Sequence, residues 1–377
     1  DLNKMKPVIR NILRSAVYQL KYMDSVPDSA VCNEAVKLAV KKGFGTLRGF
    51  VNGVLRNVAR GLDQVEYPAE GIERLSVVYS MPEWILKLWK KTYDLDVIES
   101  MLQAFQEETP VTIRCNLAKT TPENLKESLQ KEGVTVTPHP YLSYAFWIQD
   151  YDHLSELESF QKGAFYVQDI SSMLVGELAD PKKGDRVIDV CAAPGGKALH
   201  VAEKLRGTGS VEARDLSLYK VGLITENIER SGLTNIHAVQ KDATVCDADV
   251  KDAADLVIAD LPCSGLGVLA KKTDLKYKAT EQGTKELAGL QREILKNAAS
   301  YVRPGGTLIY STCTINPAEN IENVHWFLKE FPEFVLDPIA DRLCSTLQDS
   351  VEEAGCLQLL PGIHKSDGFF IARFGKK

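Results

Sequence analysis

Apolar residues recur at helical spacing from Val8 to Leu62: Ile9, Leu13, Ala16 and Leu20 make one stripe, and Phe50, Val54, Val58 and Leu62 another at four-residue steps. Residues 1–70 are therefore predicted to form an all-helical domain. Pro82, after Met81, opens a further helix from Glu83 to Tyr93, because proline is tolerated at the first helical position. The period then changes. A strand at Val111–Asn116, a helix opened by Thr121-Pro122, and strands at Val134–Thr137 and Ala145–Gln149 predict a small α/β unit, so residues 71–157 read as linker helices followed by that unit. From 158 to 377, β-rich runs alternate with amphipathic helices: Arg186–Cys191, Ser210–Asp215, Ile236–Gln240, Leu256–Asp260 and Thr307–Cys313. Such alternation predicts an α/β, Rossmann-like domain with a mostly parallel sheet covered on both faces. Two last runs, Cys356–Leu360 and Phe369–Phe374, have no long helix between them and are expected to close a seven-stranded sheet as an antiparallel pair. A doubly wound domain binds its ligands at the strand carboxyl ends.

At 377 residues the chain is long for one core, and its 44% hydrophobic and 25% charged content is ordinary for a globular protein. No apolar run reaches membrane-span length and no signal pattern opens the chain, so a cytoplasmic location is expected. Asp1 stands where a methionine would begin a chain, and the helical domain is expected to lack part of its N-terminus. Eight cysteines without a Cys-x-x-Cys pair fit neither a disulfide framework nor zinc, so no metal is expected. The net charge of −6 hides an asymmetry: residues 1–60 carry 11 Lys/Arg against 4 Asp/Glu, which leaves +7 there and −13 on the remainder. A basic front that feeds a polyanion to an acidic body has this pattern, as does a merely solvated basic face. Lys41, Lys42, Arg48, Arg56 and Arg60 sit near turns or on polar faces, where phosphate contacts are easy. The small α/β unit has the element order of part of an RNA-recognition fold but no aromatic stacking signature; Tyr141, Tyr144, Phe146 and Trp147 read as packing residues.

Candidate chemistry lies at the predicted strand ends. Asp189 and Val190 lead into Cys191-Ala192-Ala193-Pro194-Gly195-Gly196-Lys197, a small-residue loop between a strand and a helix that allows close backbone approach to a ligand. It lacks the Gly-x-Gly-x-x-Gly spacing of a pyrophosphate site, so a nucleotide without phosphates fits better, and S-adenosylmethionine is such a ligand. Asp215, ending the next strand, is spaced to accept both ribose hydroxyl protons, and Asp242, after the third, to meet the adenine edge. Helix capping is the plain alternative for either. Two thiols complete the set: Cys263 in Asp260-Leu261-Pro262-Cys263 and Cys313 in Ser311-Thr312-Cys313. A thiolate can attack an electron-poor pyrimidine and make its carbon 5 nucleophilic, and a second thiol can help undo the bond. Cys191 reads as a packing residue of the loop, and Cys32, Cys115, Cys246, Cys344 and Cys356 as structural.

The strings DVCAAPGGK (189–197), DLPCSG (260–265) and STCT (311–314), in that order, resemble the RNA cytosine-C5 methyltransferase family over most of residues 160–377. FYVQD (165–169) and DGFFIAR (367–373) resemble it too. The helical front, including GFVNGVLRN, is similar to the NusB-like RNA-binding domain of the bacterial methyltransferase B subgroup, which acts on 16S rRNA. The resemblance implies S-adenosylmethionine as cofactor, 16S rRNA as partner, and methylation of carbon 5 of a cytosine through a cysteine adduct at carbon 6. It assigns attack to Cys313 and release of the product to Cys263; spacing alone leaves the two thiols equivalent. Asp260 is then placed to hydrogen-bond the cytosine edge and support protonation at ring nitrogen 3, with its carboxyl raised by an apolar cleft. Lys197 lowers a thiol's pKa or orients the base, unless it is only a solvated residue of the first helical turn.

Arg114 and Asn116 resemble a family motif near the RNA path, though a strand-end hydrogen-bonding role suits them equally. Lys271, Lys272 and Lys276 either hold the RNA backbone or are solvated, and Thr273 stands where the family usually has proline. Glu322-Asn323-Val324, a string found in DNA cytosine methyltransferases, falls in an amphipathic helix from Asn320 to Phe331 and reads as coincidence. A stacked base cannot present carbon 6, so the target must be extruded or already unpaired. A monomer is expected. Other readings are methylation of tRNA or another RNA, and a noncatalytic RNA-binding assembly factor; an amino-group methyltransferase would carry Asn/Asp-Pro-Pro-aromatic where Asp-Leu-Pro-Cys stands.

Overall fold

A computed structural model describes residues 4–351 and 353–377, so Asp1 lies outside the described residues. The chain separates into two compact units, Asp1–Ala69 and Glu70–Lys377. The first contains helices α1 (Pro7–Tyr22), α2 (Asp28–Lys41) and α3 (Arg48–Gly61) around a small core that includes Ile9, Leu13, Ala16, Val31, Ala35, Val51 and Leu55. The stripe on α1 is as expected, but α3 buries Val51 and Leu55 while Phe50 is exposed. At roughly 100° per residue Phe50 stands about a quarter turn from Val51, so the expected line begins off the packed face. Lys41, Lys42, Arg48, Arg56 and Arg60 are all exposed.

The second unit opens with α4 (Gly71–Val78), α5 (Glu83–Trp89) and α6 (Leu95–Ala104). Helix α5 starts after Pro82 as predicted but stops one turn early. A four-stranded antiparallel sheet follows, in the order β2 (Thr135–Pro138), β3 (Ala145–Gln149), β1 (Val111–Cys115), β4 (Phe165–Val167), with α7 (Pro122–Lys131) between β1 and β2 and the short α8 (Glu158–Gln161) before β4. Phe165–Val167, placed with the C-terminal domain by sequence, thus adds the edge strand of the small sheet.

Helix α9 (Ile170–Ala179) leads into the large sheet: β5 (Arg186–Asp189), α10 (Gly196–Lys204), β6 (Ser210–Asp215), α11 (Leu218–Ser231), β7 (Ile236–Gln240) and β8 (Ala254–Asp260). The short α12 (Leu275–Lys278) and long α13 (Glu281–Tyr301) precede β9 (Val302–Thr312), and α14 (Ile321–Glu330), β10 (Phe334–Leu336), α15 (Ser345–Gln348), β11 (Cys356–Leu359) and β12 (Phe369–Lys376) complete it. The order is β10-β12-β9-β8-β5-β6-β7, with β7 to β9 parallel and β12 antiparallel to β9. The seventh position is shared end to end, because β11 pairs with Phe369–Ala372 and β10 with Phe374–Lys376 of the same strand. Chain order reverses between β5 and β8, so Asp189 and Asp260 end the two strands that flank the crevice where such sheets bind ligands.

One buried ion pair fixes the small sheet to that crevice. Arg114 on β1 is fully buried; its Nη1 donates to Glu203 on α10 at 3.0 Å, its Nε to Gln168 at 2.7 Å, and its guanidinium lies 4.3 Å from the Tyr166 ring centre. Asn116 is buried too, donating to the carbonyls of Gly163 and Ser231. Both are structural here, and neither can reach RNA. Removing one partner of a buried pair strands the other charge. Glu203→Ala is expected to destabilise the second unit by about 3 kcal/mol in urea unfolding, while Glu34→Ala, in an exposed pair with Lys37, shifts the first by less than about 1 kcal/mol.

Candidate active site

Strand β5 delivers Asp189 into the interior, where its Oδ1 accepts from the Cys191 amide at 3.3 Å and its Oδ2 is buried without a partner. Burial, reinforced by the negative charge of Asp260, pushes its carboxyl up to about 7. The chain then turns through Gly195, whose φ of +108° suits glycine, and α10 begins at Gly196. Lys197 therefore sits in the first turn of α10 and donates to Asp260 Oδ2 at 2.7 Å, with its ammonium 5.4 Å from the Phe369 ring centre. It is not a solvated first-turn residue. Asp260 Oδ1 accepts from the Ser311 hydroxyl at 2.7 Å, so an ion pair and a hydroxyl fix this carboxylate.

Asp215 is buried and accepts from the amides of Ala193 at 3.2 Å and Leu216 at 2.8 Å. It braces the Cys191–Gly195 loop; the cap of α11 is Ser217. Burial and the nearby carboxylates of Asp189, Asp215 and Asp260 all push the Cys191 thiol up, which keeps it inert, as a packing residue should be. Asp242 stands apart: it is exposed and accepts from the amide and hydroxyl of Thr244.

The two strand-end thiols meet. Cys263 Sγ lies 3.2 Å from Cys313 Sγ, both are free, and both are partly accessible. Their hydrogen bond polarises the pair: Cys313 is lowered by accepting it, helped by Lys197 and Lys272, whereas Cys263, which donates it beside a forming thiolate, is raised well above its usual range.

Sequence reasoning missed what holds the thiols. Glu319 is fully buried, and its carboxylate accepts from the Ser264 amide and hydroxyl, from Gln291 at 3.0 Å and from Asn316 at 2.9 Å. Ser264 follows Cys263 and also bonds the Thr314 hydroxyl at 2.8 Å, the residue after Cys313. Gln291 in turn donates to the Pro262 carbonyl, and Asn323 donates to Gln291. Asn323 is therefore a buried bracket, while Glu322 beside it is exposed. The crowding of Thr314, Asn316, Glu319, Asn320 and Asn323 after a buried strand was the available signal. Backbone contact adds a second brace: the Gly267 amide donates to the Cys313 carbonyl at 3.1 Å and the Gly368 amide to the Gly267 carbonyl at 2.9 Å. A Cβ on Gly267 would lie 2.0 Å from Gly368 O, so the DGFF string docks on the cysteine loop only through glycine. Lys271 pairs with Asp169 at 2.9 Å and Asp367 at 2.6 Å, which ties it to the protein.

Among the described residues no cluster of His, Cys, Asp or Glu has the form of a metal site, and no helix is long and apolar enough to cross a membrane.

Comparison with known proteins agrees with this geometry. Residues 177–375 match the model of the 16S rRNA methyltransferase RsmB/F family, residues 1–60 that of the NusB family, and residues 81–151 that of the RsmF/B-like ferredoxin-like domain. A probable ribosomal RNA small subunit methyltransferase B of Bacillus subtilis is 37% identical over 99% of this chain and 84% of its own length; that of Synechocystis is 34% identical over 100% and 84%. The crystal structure of PH0851 superposes with a TM-score of 0.83 at 28% identity, covering 100% of this chain and 84% of the other. NSun6 from Pyrococcus horikoshii, solved with SFG, gives a TM-score of 0.70 at 25% identity over 79% and 99%. The chain belongs to the RsmB/F family of methyltransferases.

Proposed function

We propose that this protein methylates carbon 5 of a cytosine in 16S rRNA, using S-adenosylmethionine and a covalent adduct between Cys313 and carbon 6. The observation that carries the reading is the polarised thiol pair at the carboxyl edge of the sheet, 3.2 Å apart beside the Lys197–Asp260 ion pair. Cytosine carbon 5 is too weak a nucleophile until a thiolate has added at carbon 6. A site for plain nitrogen or oxygen methylation needs no such pair.

The residues around the Asp189–Lys197 loop suit the cofactor. Asp189, Asp215 and Asp260 all act on Cys191 within it, and Asp189 Oδ2 is buried without a partner. That environment favours a nucleoside bearing a sulfonium and an ammonium over one bearing phosphates. Asp215 would hold the ribose hydroxyls, Ala192 to Gly196 would pass along the ligand, and Asp242 would reach the adenine edge. When bound, S-adenosylmethionine supplies an electrophilic methyl group.

The chain's own residues do the remaining work. Cys313 adds as its thiolate to carbon 6 while Asp260, oriented by Lys197 and Ser311, accepts from the amino group of the ring and from nitrogen 3 once that nitrogen has taken a proton. Once Cys313 is bound to carbon it no longer carries charge, so the cause that raised the Cys263 thiol is removed. Cys263, once it has released its own proton to solvent, can then take the proton from carbon 5 as a thiolate, and the electrons of that C–H bond re-form the ring double bond and expel Cys313 as its thiolate. The exposed basic residues of the first unit and the match to the NusB family support delivery of RNA.

Two outcomes are expected. Labelled methyl transfer to 16S rRNA falls by about four orders of magnitude or more in Cys313→Ala, as when a covalent nucleophile is lost, while Cys263→Ala accumulates a slow-migrating protein–RNA adduct on denaturing gels. An adduct in Cys313→Ala would reverse the roles, and no transfer by the wild type to any ribosomal RNA would favour a noncatalytic binding factor. Iodoacetamide should alkylate Cys313 before Cys263, with a midpoint pH below that of an ordinary cysteine. In Cys263→Ala that midpoint rises, because the hydrogen bond that stabilised the Cys313 thiolate is gone.

A further inference from the structure

Next to the cysteine loop lies a cavity that the reaction leaves unused. It has a volume of about 440 Å³, within the range of small-molecule sites, and opens between the small sheet, the chain after α6 and the 361–367 loop. Trp147 on β3 and Thr112, its register partner on β1, line one side. Trp147 is half-buried and its ring meets His139 at 4.5 Å. Lys365, Glu107 and Glu108, all exposed, also line the cavity. The Lys271 ion pairs with Asp169 and Asp367 also border the cavity, so its wall is continuous with the loop that follows Cys263.

The wall is built in advance. The Lys365 carbonyl bonds His139 Nε2 at 3.1 Å, the Lys365 amide donates to the Tyr141 hydroxyl at 3.1 Å, and His364 is held by the Leu360 amide and the Ser350 hydroxyl. A Cβ on Gly362 would lie 2.4 Å from the Ser100 carbonyl oxygen, so the loop is seated directly on α6. A preformed pocket loses little ordering entropy when filled.

We propose that this cavity receives a second, unpaired nucleobase of the RNA, a neighbour of the target cytosine, with its base on Trp147, its amino edge toward the carboxylates and its phosphate toward Lys365. An indole, two carboxylates and an ammonium lining one cavity match the three parts of a nucleotide. Guanine fits best, since it offers two adjacent N–H donors to a single carboxylate. Extruding the target unstacks its neighbours, and seating one of them prevents the target from returning to the stack. The proposal rests on the RNA methyltransferase reading above and extends it to substrate selection.

The test uses the full-length protein and short 16S rRNA fragments that carry one abasic site at successive positions on either side of the methylated cytosine. Wild type should show one sensitive position at which kcat/KM falls about tenfold or more, the worth of a stacked base. At that position Trp147→Ala should lose nearly all of the sensitivity, and replacement of guanine by uracil should weaken wild type but not the variant. Lys365→Ala, which keeps the backbone bonds to His139 and Tyr141, should raise KM without changing kcat and reduce the salt slope of binding by about one. If wild type methylates RNA but its abasic profile matches that of Trp147→Ala at every position, or Lys365→Ala leaves the salt slope unchanged, the pocket does not hold a base. If wild type methylates no RNA, the underlying reading fails instead.

Discussion

The buried carboxylate of Glu319 is the constraint on which the site depends. A charge removed from water must be met by donors, and this one is met by Ser264, Gln291 and Asn316, which come from three separate stretches of chain. Satisfying it draws the loop after β8, the helix α13 and the loop after β9 to one point. The thiols are close because their backbones are pinned behind them, so their separation does not rely on the weak attraction between two sulfurs. A buried network of this kind is stable only when complete.

Chemistry was legible in the sequence where it depends on residue type at a strand end. Cys263, Cys313, Asp215, Asp260 and Lys197 all lie where alternation of strand and helix placed them, and the large sheet follows the predicted order with its antiparallel closing pair. What escaped was set by tertiary pairing. Arg114 resembled a family motif near the RNA path as readily as it suited a strand-end hydrogen-bonding role; its partner Glu203 lies 89 residues away, and only the fold brings them together. Glu319 and Ser264 are separated by 55 residues, so no local pattern reveals them as a pair. The stripe on α3 failed for a simpler reason, since lines begun at Phe50 and at Val51 have the same four-residue step and only the second lies on the packed face.

The small sheet is more than an appendage beside the catalytic one. Arg114 ties β1 to α10, the helix whose first turn supplies Lys197, so a load on the small sheet is felt one helix away from the Asp260 carboxylate. Trp147 and Thr112 stand on this same sheet, and the 361–367 loop leads directly into Gly368 and Phe369. The surface that would grip RNA and the groups that would act on it therefore share a rigid frame, in which binding energy gained at one place can be used to orient groups at another.

The contact between Gly267 and Gly368 has a consequence for how the protein is made. Strand β12 pairs with β9, β10 and β11, all of which precede it in the chain, and its first residues support the loop that carries Cys263. During synthesis, the helical front and the cofactor half of the sheet emerge long before this strand does. Until it arrives, the Cys263 loop lacks a backbone partner and β9 lacks a neighbour on one side. The loop that carries Cys263 thus gains its last backbone support only when Gly368 and the strand after it are in place.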